Sequence, residues 1–183
     1  MKEQQKKYEL TDEFIEIFGG KKLYRIKALV SFGVVVAGQL GGFIESEKNL
    51  DQSLSGNAWV SGNARVYGSA RVYGDAWVSG DARVYGNARV YGSARVYGDA
   101  WVRSHAVISE HKMIFWASNV GSENGTLTVF NGKDGLIVTR GCFTGTVDEF
   151  LAKSAEVHDD KTKNEYKLLI EVAKSRILGV KDE

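Results

Sequence analysis

Residues 58–108 repeat one six-residue phrase, A-[RW]-V-[YS]-G-[NSD], almost without variation. The valines are Val60, Val66, Val72, Val78, Val84, Val90, Val96 and Val102, and Ile108 continues the series. An alanine stands two places before each of them, from Ala58 to Ala106. Within A-x-V-x, apolar and polar positions alternate with period two, which gives an extended segment one inward face. Alanine and valine point one way; Arg or Trp, then Tyr or Ser, point the other. Gly followed by Asn, Ser or Asp supplies a corner, because these residues accept left-handed backbone angles at low cost. Proline is absent from the chain, so corners must rely on them. Strands of about four residues joined by two-residue corners cannot build a meander. A fixed short period builds a solenoid, and a hexapeptide period builds a parallel β-helix.

Over residues 58–111 the phrase resembles the hexapeptide repeat of the left-handed parallel β-helix family. There an aliphatic residue is followed four places later by a small one. Residues 36–57 carry a degenerate form, with Ile44, Leu50 and Leu54 as inward residues on a broken spacing. The resemblance implies a left-handed coil in which three hexads close one triangular turn. It also implies homotrimers packed about a threefold axis, with ligands held in the grooves between subunits. The layout KKLYRIKAL, GQLGGFIE, repeats, GCFTGTVDEF further resembles hexapeptide-repeat proteins of phages and bacteria that carry a transferase label on fold alone. Fold does not decide function.

The flanks read as caps. Residues 8–30 form a β-hairpin about Gly19-Gly20 and cover the first coil, since an open solenoid end exposes core and unpaired strand edge. After Ile108 the hexad decays. KMIFWA, TLTVF and LIVTRGCF are predicted strands with turns at ENG and NGKDG. Thr146 to Glu149 has capping-box spacing and opens a helix, TVDEFLAKSAEV. A second helix is predicted from Lys163 to Ile177, with an apolar stripe of Tyr166, Leu169, Ile170, Val172, Ala173 and Ile177. The expected organisation is a mainly β chain: residues 1–35 a hairpin cap, 36–111 a β-helix of about four coils, and 112–183 a small α+β cap.

With three hexads per coil, the outward residues stack in three columns. One carries Arg65 and Tyr67, then Arg83 and Tyr85, then Trp101 and Arg103. A second carries Arg71 and Tyr73, then Arg89 and Tyr91. The third carries Trp59 and Ser61, Trp77 and Ser79, then Arg95 and Tyr97. Stacked arginines repel unless cation–π contact, the corner acids Asp75, Asp81 and Asp99, or a bound anion relieves them. Flat faces of Arg, Tyr and Trp have the composition of interfaces, and guanidinium forks beside aromatics suit a nucleotide. Arg65, Tyr67, Arg71, Tyr73, Arg83, Tyr85, Arg89, Tyr91, Trp59, Trp77 and Trp101 are therefore the expected ligand-binding residues. The same ladders, fully solvated, would also serve a purely structural solenoid.

Three functions follow. The leading expectation is a non-enzymatic homotrimer that sequesters or senses a small anionic ligand, such as a nucleotide signal. In the phage setting implied by the resemblance it would be a sponge acting against host defence. The second is an acyltransferase using acyl-CoA, with His105 as general base; family transferases use a histidine so. The third is a protein-interaction solenoid. No cofactor and no metal site is expected; His158-Asp159-Asp160 has no second cluster beside it. Cys142, the single cysteine, reads as a small buried hydrophobe, and it excludes an intramolecular disulfide. GCFTGT lacks the lysine of a phosphate loop and reads as a helix cap. A net charge of +1 argues against a nucleic-acid partner. No leader and no membrane-spanning run is visible, and the expected location is the cytoplasm.

Overall fold

The computed structural model describes residues 4–179. The outermost residues of both expected caps, 1–3 and 180–183, lie outside them. The chain opens with β1 (Tyr8–Ile17) and β2 (Lys21–Ala28), an antiparallel hairpin, followed by β3 (Leu40–Ile44). Nine two-residue rungs come next: β4 (Trp59–Val60), β5 (Arg65–Val66), β6 (Arg71–Val72), β7 (Trp77–Val78), β8 (Arg83–Val84), β9 (Arg89–Val90), β10 (Arg95–Val96), β11 (Trp101–Val102) and β12 (Val107–Ile108). A four-stranded antiparallel sheet ends the β part: β13 (Ile114–Val120), β14 (Gly125–Gly132), β15 (Gly135–Arg140) and β16 (Phe143–Thr146). Helices α1 (Val147–Val157) and α2 (Asp160–Leu178) close the chain.

The rungs stack in parallel into three columns, β3-β5-β8-β11, β4-β7-β10 and β6-β9-β12, so the chain is a parallel β-helix. Within the repeats each rung lies opposite the one three hexads on, as in Trp59 opposite Trp77 and Arg65 opposite Arg83. The inward alanines from Ala58 to Ala106, the valines from Val60 to Val102 in the same register, and Ile108 are buried, at 1% exposure or less. Each coil donates backbone N–H groups to the next: Arg65 to Ala82 at 2.9 Å, Tyr67 to Val84 at 3.1 Å. The ladder section of each hexad is two residues rather than four because the tyrosine already belongs to the corner. Ala70 N donates to Tyr67 O and Ala76 N to Tyr73 O, both at 3.4 Å, closing four-residue turns. The glycine after each tyrosine has positive φ, for example 67° at Gly68, which suits the first central position of such a turn.

The first coil departs from the period. Phe43 lies opposite Arg65 and Leu50 opposite Val72, a step longer than three hexads. The four extra residues bulge out between Leu50 and Trp59. Ile44 and Leu50 are buried as expected, at 0% and 1% exposure. Leu54 is not: it is 49% exposed, on the tip of that bulge.

Side chains close the lower end by satisfying backbone carbonyls. The buried Lys7 ammonium donates to Ala58 O at 3.1 Å and Gly56 O at 3.4 Å. Tyr8 Oη donates to Leu50 O at 2.6 Å, and Asn49 Nδ2 to Ala70 O at 2.9 Å. The hairpin also extends the first column, β2 pairing with β3 antiparallel. At the upper end the antiparallel sheet lies across the last coil. Thr128 Oγ1 accepts from Trp101 N at 3.1 Å, Thr139 Oγ1 donates to Trp101 O at 2.8 Å, and Asn131 Nδ2 to Val107 O at 3.0 Å.

The helices follow their caps. Thr146 Oγ1 accepts from Glu149 N at 3.2 Å, and Glu149 Oε2 accepts from Thr146 N at 2.8 Å. Asp159 accepts from Thr162 N at 2.8 Å and starts α2 three residues before the predicted Lys163. Tyr166, Ile170, Ala173 and Ile177 are buried against the sheet, whereas Val172 is 54% exposed. No helix among the described residues is long and apolar enough to cross a membrane.

Candidate functional site

The outward residues of the coil form the walls expected from their spacing, but the three walls differ. On the first, Tyr67 and Tyr85 stack with centroids 4.8 Å apart and planes 3° from parallel. Arg83 lies over the Trp101 ring at 4.6 Å, and Arg103 at 5.9 Å from it. Arg103 is also a clamp: Nη1 donates to Tyr85 Oη at 2.7 Å, and Nη2 to Gly141 O at 3.0 Å and to Phe143 O. On the second wall Tyr73 and Tyr91 stack at 4.9 Å, with planes 2° apart, and Arg71 and Arg89 are exposed. On the third, Trp77 Nε1 donates to Ser61 Oγ at 3.1 Å, and Arg95 Nη1 to Asp75 O at 2.7 Å.

Trp59 does not belong to an open wall. It occupies an outward register position, yet it is 0% exposed. The Phe32 ring meets it edge-on at 5.4 Å and Tyr8 at 6.3 Å. Phe32 comes from a tight turn in which Phe32 and Val35 exchange backbone hydrogen bonds, and that turn folds over the wall at its lower end.

Four of the coil arginines stand apart. Among the described residues, Arg65, Arg71, Arg83 and Arg89 form no ion pair and no side-chain hydrogen bond; the ion pairs lie elsewhere. They are paired in register with one another, Arg65 with Arg83 and Arg71 with Arg89. Like charges opposite one another on a ladder repel. The corner acids do not neutralise them. Asp75 Oδ1 accepts from Asn57 N and Nδ2 at 3.0 Å, and Asp81 Oδ1 from Asn63 Nδ2 at 3.3 Å, so both are tied to the corner beneath. Tyr67 titrates above the ordinary phenol value because burial, and then Tyr85, disfavour its anion; Arg83, Arg65 and Arg103 pull the other way.

His105 is exposed at a corner, beside a cavity of about 230 Å³ shared with Lys133, Asp134, Thr144 and Glu149. Its neighbour Ser104 stacks on Gly86 and has φ 63°, where the corners below carry glycine. Cys142 is exposed, which overturns its reading as a buried hydrophobe. The run LIVTRGCF is two strands. Gly141, at φ 55°, and Cys142 make the turn between Arg140 and Phe143, so the thiol sits on a hairpin tip. His158 accepts or donates at 3.1 Å to Ser154 Oγ at the end of α1, and Asp159 caps α2. The Asp159 carboxyl is held below its usual range by the Thr162 hydrogen bonds. Among the described residues no cluster of His, Cys, Asp and Glu can hold a metal ion.

Residues 58–74 and 82–98 match the family model described as "YdcK Beta solenoid repeat". The match covers the repeat alone and supports a β-solenoid repeat protein. No curated protein matches the chain.

Proposed function

We propose that this β-solenoid protein is a non-enzymatic binding protein whose arginine–tyrosine walls take up a small anionic ligand, with nucleotides the best-fitting class. One observation carries the reading: Arg65, Arg71, Arg83 and Arg89 sit in register with no acidic partner among the described residues. A phosphate between two guanidiniums would relieve that repulsion and gain bidentate hydrogen bonds. Parallel tyrosines beside them offer flat faces to a base. Packing of three copies about a threefold axis would turn the open walls into grooves, and sequestration needs no chemistry beyond mass action. Such a protein would act as a sponge for a nucleotide signal.

The test is a thermal-shift panel of nucleotides together with sedimentation to count subunits. A ligand held by the folded state at about 100 times its Kd adds about 2.7 kcal/mol of stability. If no nucleotide and no inorganic anion raises the melting temperature, the reading falls.

A second reading rests on the Ser104–His105 corner. Non-glycine residues with positive φ persist where structure over-determines them, often at functional sites. His105 beside a cavity would serve as general base of an acyl transfer from acyl-CoA, taking the proton of an acceptor hydroxyl or amine. Turnover of acetyl-CoA that His105→Ala abolishes would establish it; no binding of acetyl-CoA would remove it.

A further inference from the structure

The hairpin tip overhangs the first wall. Between them lies a cavity of about 330 Å³ lined by Glu16, Ile17, Phe18, Arg65, Tyr67 and Arg83. Its size falls in the range of small-ligand sites. Phe18 is 104% exposed, the most exposed large apolar side chain among the described residues. Gly19 and Gly20, at φ 85° and 73°, turn the chain there and leave the ring uncovered. Nothing in the packing of the hairpin requires a phenylalanine at that position, and a bare ring in water is unfavourable. Opposite it stand two of the four unpaired guanidiniums. Arg83 has its face on Trp101, which leaves its N–H edge free to donate. Glu16 is the one carboxylate in the lining, and it forms no ion pair among the described residues.

The second wall offers a base no second ring: the cavities beside Arg71 have Tyr73 as their one aromatic lining residue. Glu45, Glu47 and Asp51 line them together with Lys48, and Glu45 and Glu47 are paired with Lys21 and Lys6.

We propose that the cradle between the hairpin tip and the first wall is a nucleoside monophosphate site with a preference for guanine. This rests on the anionic-ligand reading above and narrows it to one wall and one element outside the repeat. Arg65 and Arg83 grip the phosphate with their N–H forks. Phe18 and Tyr67 bracket the base between aromatic faces. Glu16 accepts from the base edge, since an ionised carboxylate only accepts. Guanine presents two adjacent donors there, N1–H and the 2-amino group, to the two carboxylate oxygens. Adenine presents an acceptor at N1, which the carboxylate repels.

The experiment is calorimetric titration of GMP, AMP, ribose 5-phosphate and inorganic phosphate into the full chain and four variants. Phe18→Ala and Glu16→Ala alter exposed tip residues, and thermal melts verify that each variant keeps the fold. GMP is expected to bind the unaltered chain about tenfold tighter than AMP, and Phe18→Ala to weaken GMP by about tenfold. Glu16→Ala erases the difference between GMP and AMP. Arg65→Ala weakens GMP and ribose 5-phosphate alike, and by more than Arg89→Ala on the second wall does. GMP binding that Phe18→Ala leaves intact and Arg89→Ala weakens would overturn the cradle while sparing the broader reading. AMP binding as tightly as GMP overturns the guanine preference. Failure of every probe to bind the unaltered chain overturns the cradle, and the broader reading falls with it if the nucleotide and anion panel also raises no melting temperature.

Discussion

Tyr67 and Tyr85 lie one coil apart with their rings 4.8 Å from centre to centre and 3° from parallel, so the side chains reproduce the spacing of the backbone beneath them. Tyr67 is held in its neutral form by burial and by that neighbour. Tyr8, closing the lower end of the coil, is pushed up far more strongly, again chiefly by burial. In the unfolded chain both phenols release their protons near the ordinary value of 10.0. The folded chain keeps them, so below that pH their contribution is fully present, and it is lost as pH rises above it. Denaturant melts at successive pH values are expected to show stability falling above about pH 10. Tyr8→Phe flattens that fall. An equal slope in the variant would show that Tyr8 does not hold its proton in the fold.

The valine columns make each rung dependent on those above and below. Val84 sits between Val66 and Val102 and is 0% exposed. Val84→Ala removes two buried methyl groups and leaves a void the rigid coil cannot close, at a cost of about 2 kcal/mol. The same change at Val172, which is 54% exposed on α2, costs a few tenths at most. Urea melts of the two variants give the comparison, and equal losses would mean that Val84 is not core.

Ser104 and Gly86 stack at one corner with opposite consequences for substitution. Ser104→Gly relieves a left-handed backbone and is expected to stabilise by about 0.5–1 kcal/mol. Gly86→Ala places a methyl group 2.9 Å from Ser104 N, at φ 68°, and is expected to destabilise by more than about 1 kcal/mol, the usual scale for an incompatible angle. Thermal melts decide both signs.

Arg103 ties the last coil to the C-terminal sheet through Tyr85, Gly141 and Phe143. Arg103→Ala should loosen the cap without unwinding the coil. Hydrogen exchange is expected to quicken at residues 141–146 and to stay unchanged at the rungs of Val66 and Val84. Faster exchange throughout would mean that the clamp holds the whole solenoid.

The unpaired guanidiniums predict a salt effect. Arg89→Gln removes one member of a repelling pair and is expected to raise stability by a few tenths of a kcal/mol at low ionic strength, with the gain vanishing near about 0.5 M salt as charges are screened. A loss of stability would show that Arg89 has a favourable partner.

The repeat specified much of this protein on its own. Alternation within A-x-V-x dictates which side chains face in, glycine at each corner permits the turn, and equal spacing stacks like residues upon like. The capping box at Thr146 was equally legible, because a cap lies within four residues of what it satisfies. What the sequence leaves open is every relation between distant segments. Trp59 and Trp77 sit in the same phrase, yet only Trp59 is covered, since residues 31–36 fold back over it. Leu54 has the residue type of a rung but falls in the four-residue bulge. Cys142 belongs to a strand by composition and to a turn by the angle of Gly141. Phe18 has no signal in the repeat at all; its place above Arg65 and Arg83 exists because β2 pairs with β3 and carries the hairpin tip over the first wall. Periodicity is a property of neighbours along the chain, whereas coverage and cavities depend on which segments meet, and tertiary packing alone decides that.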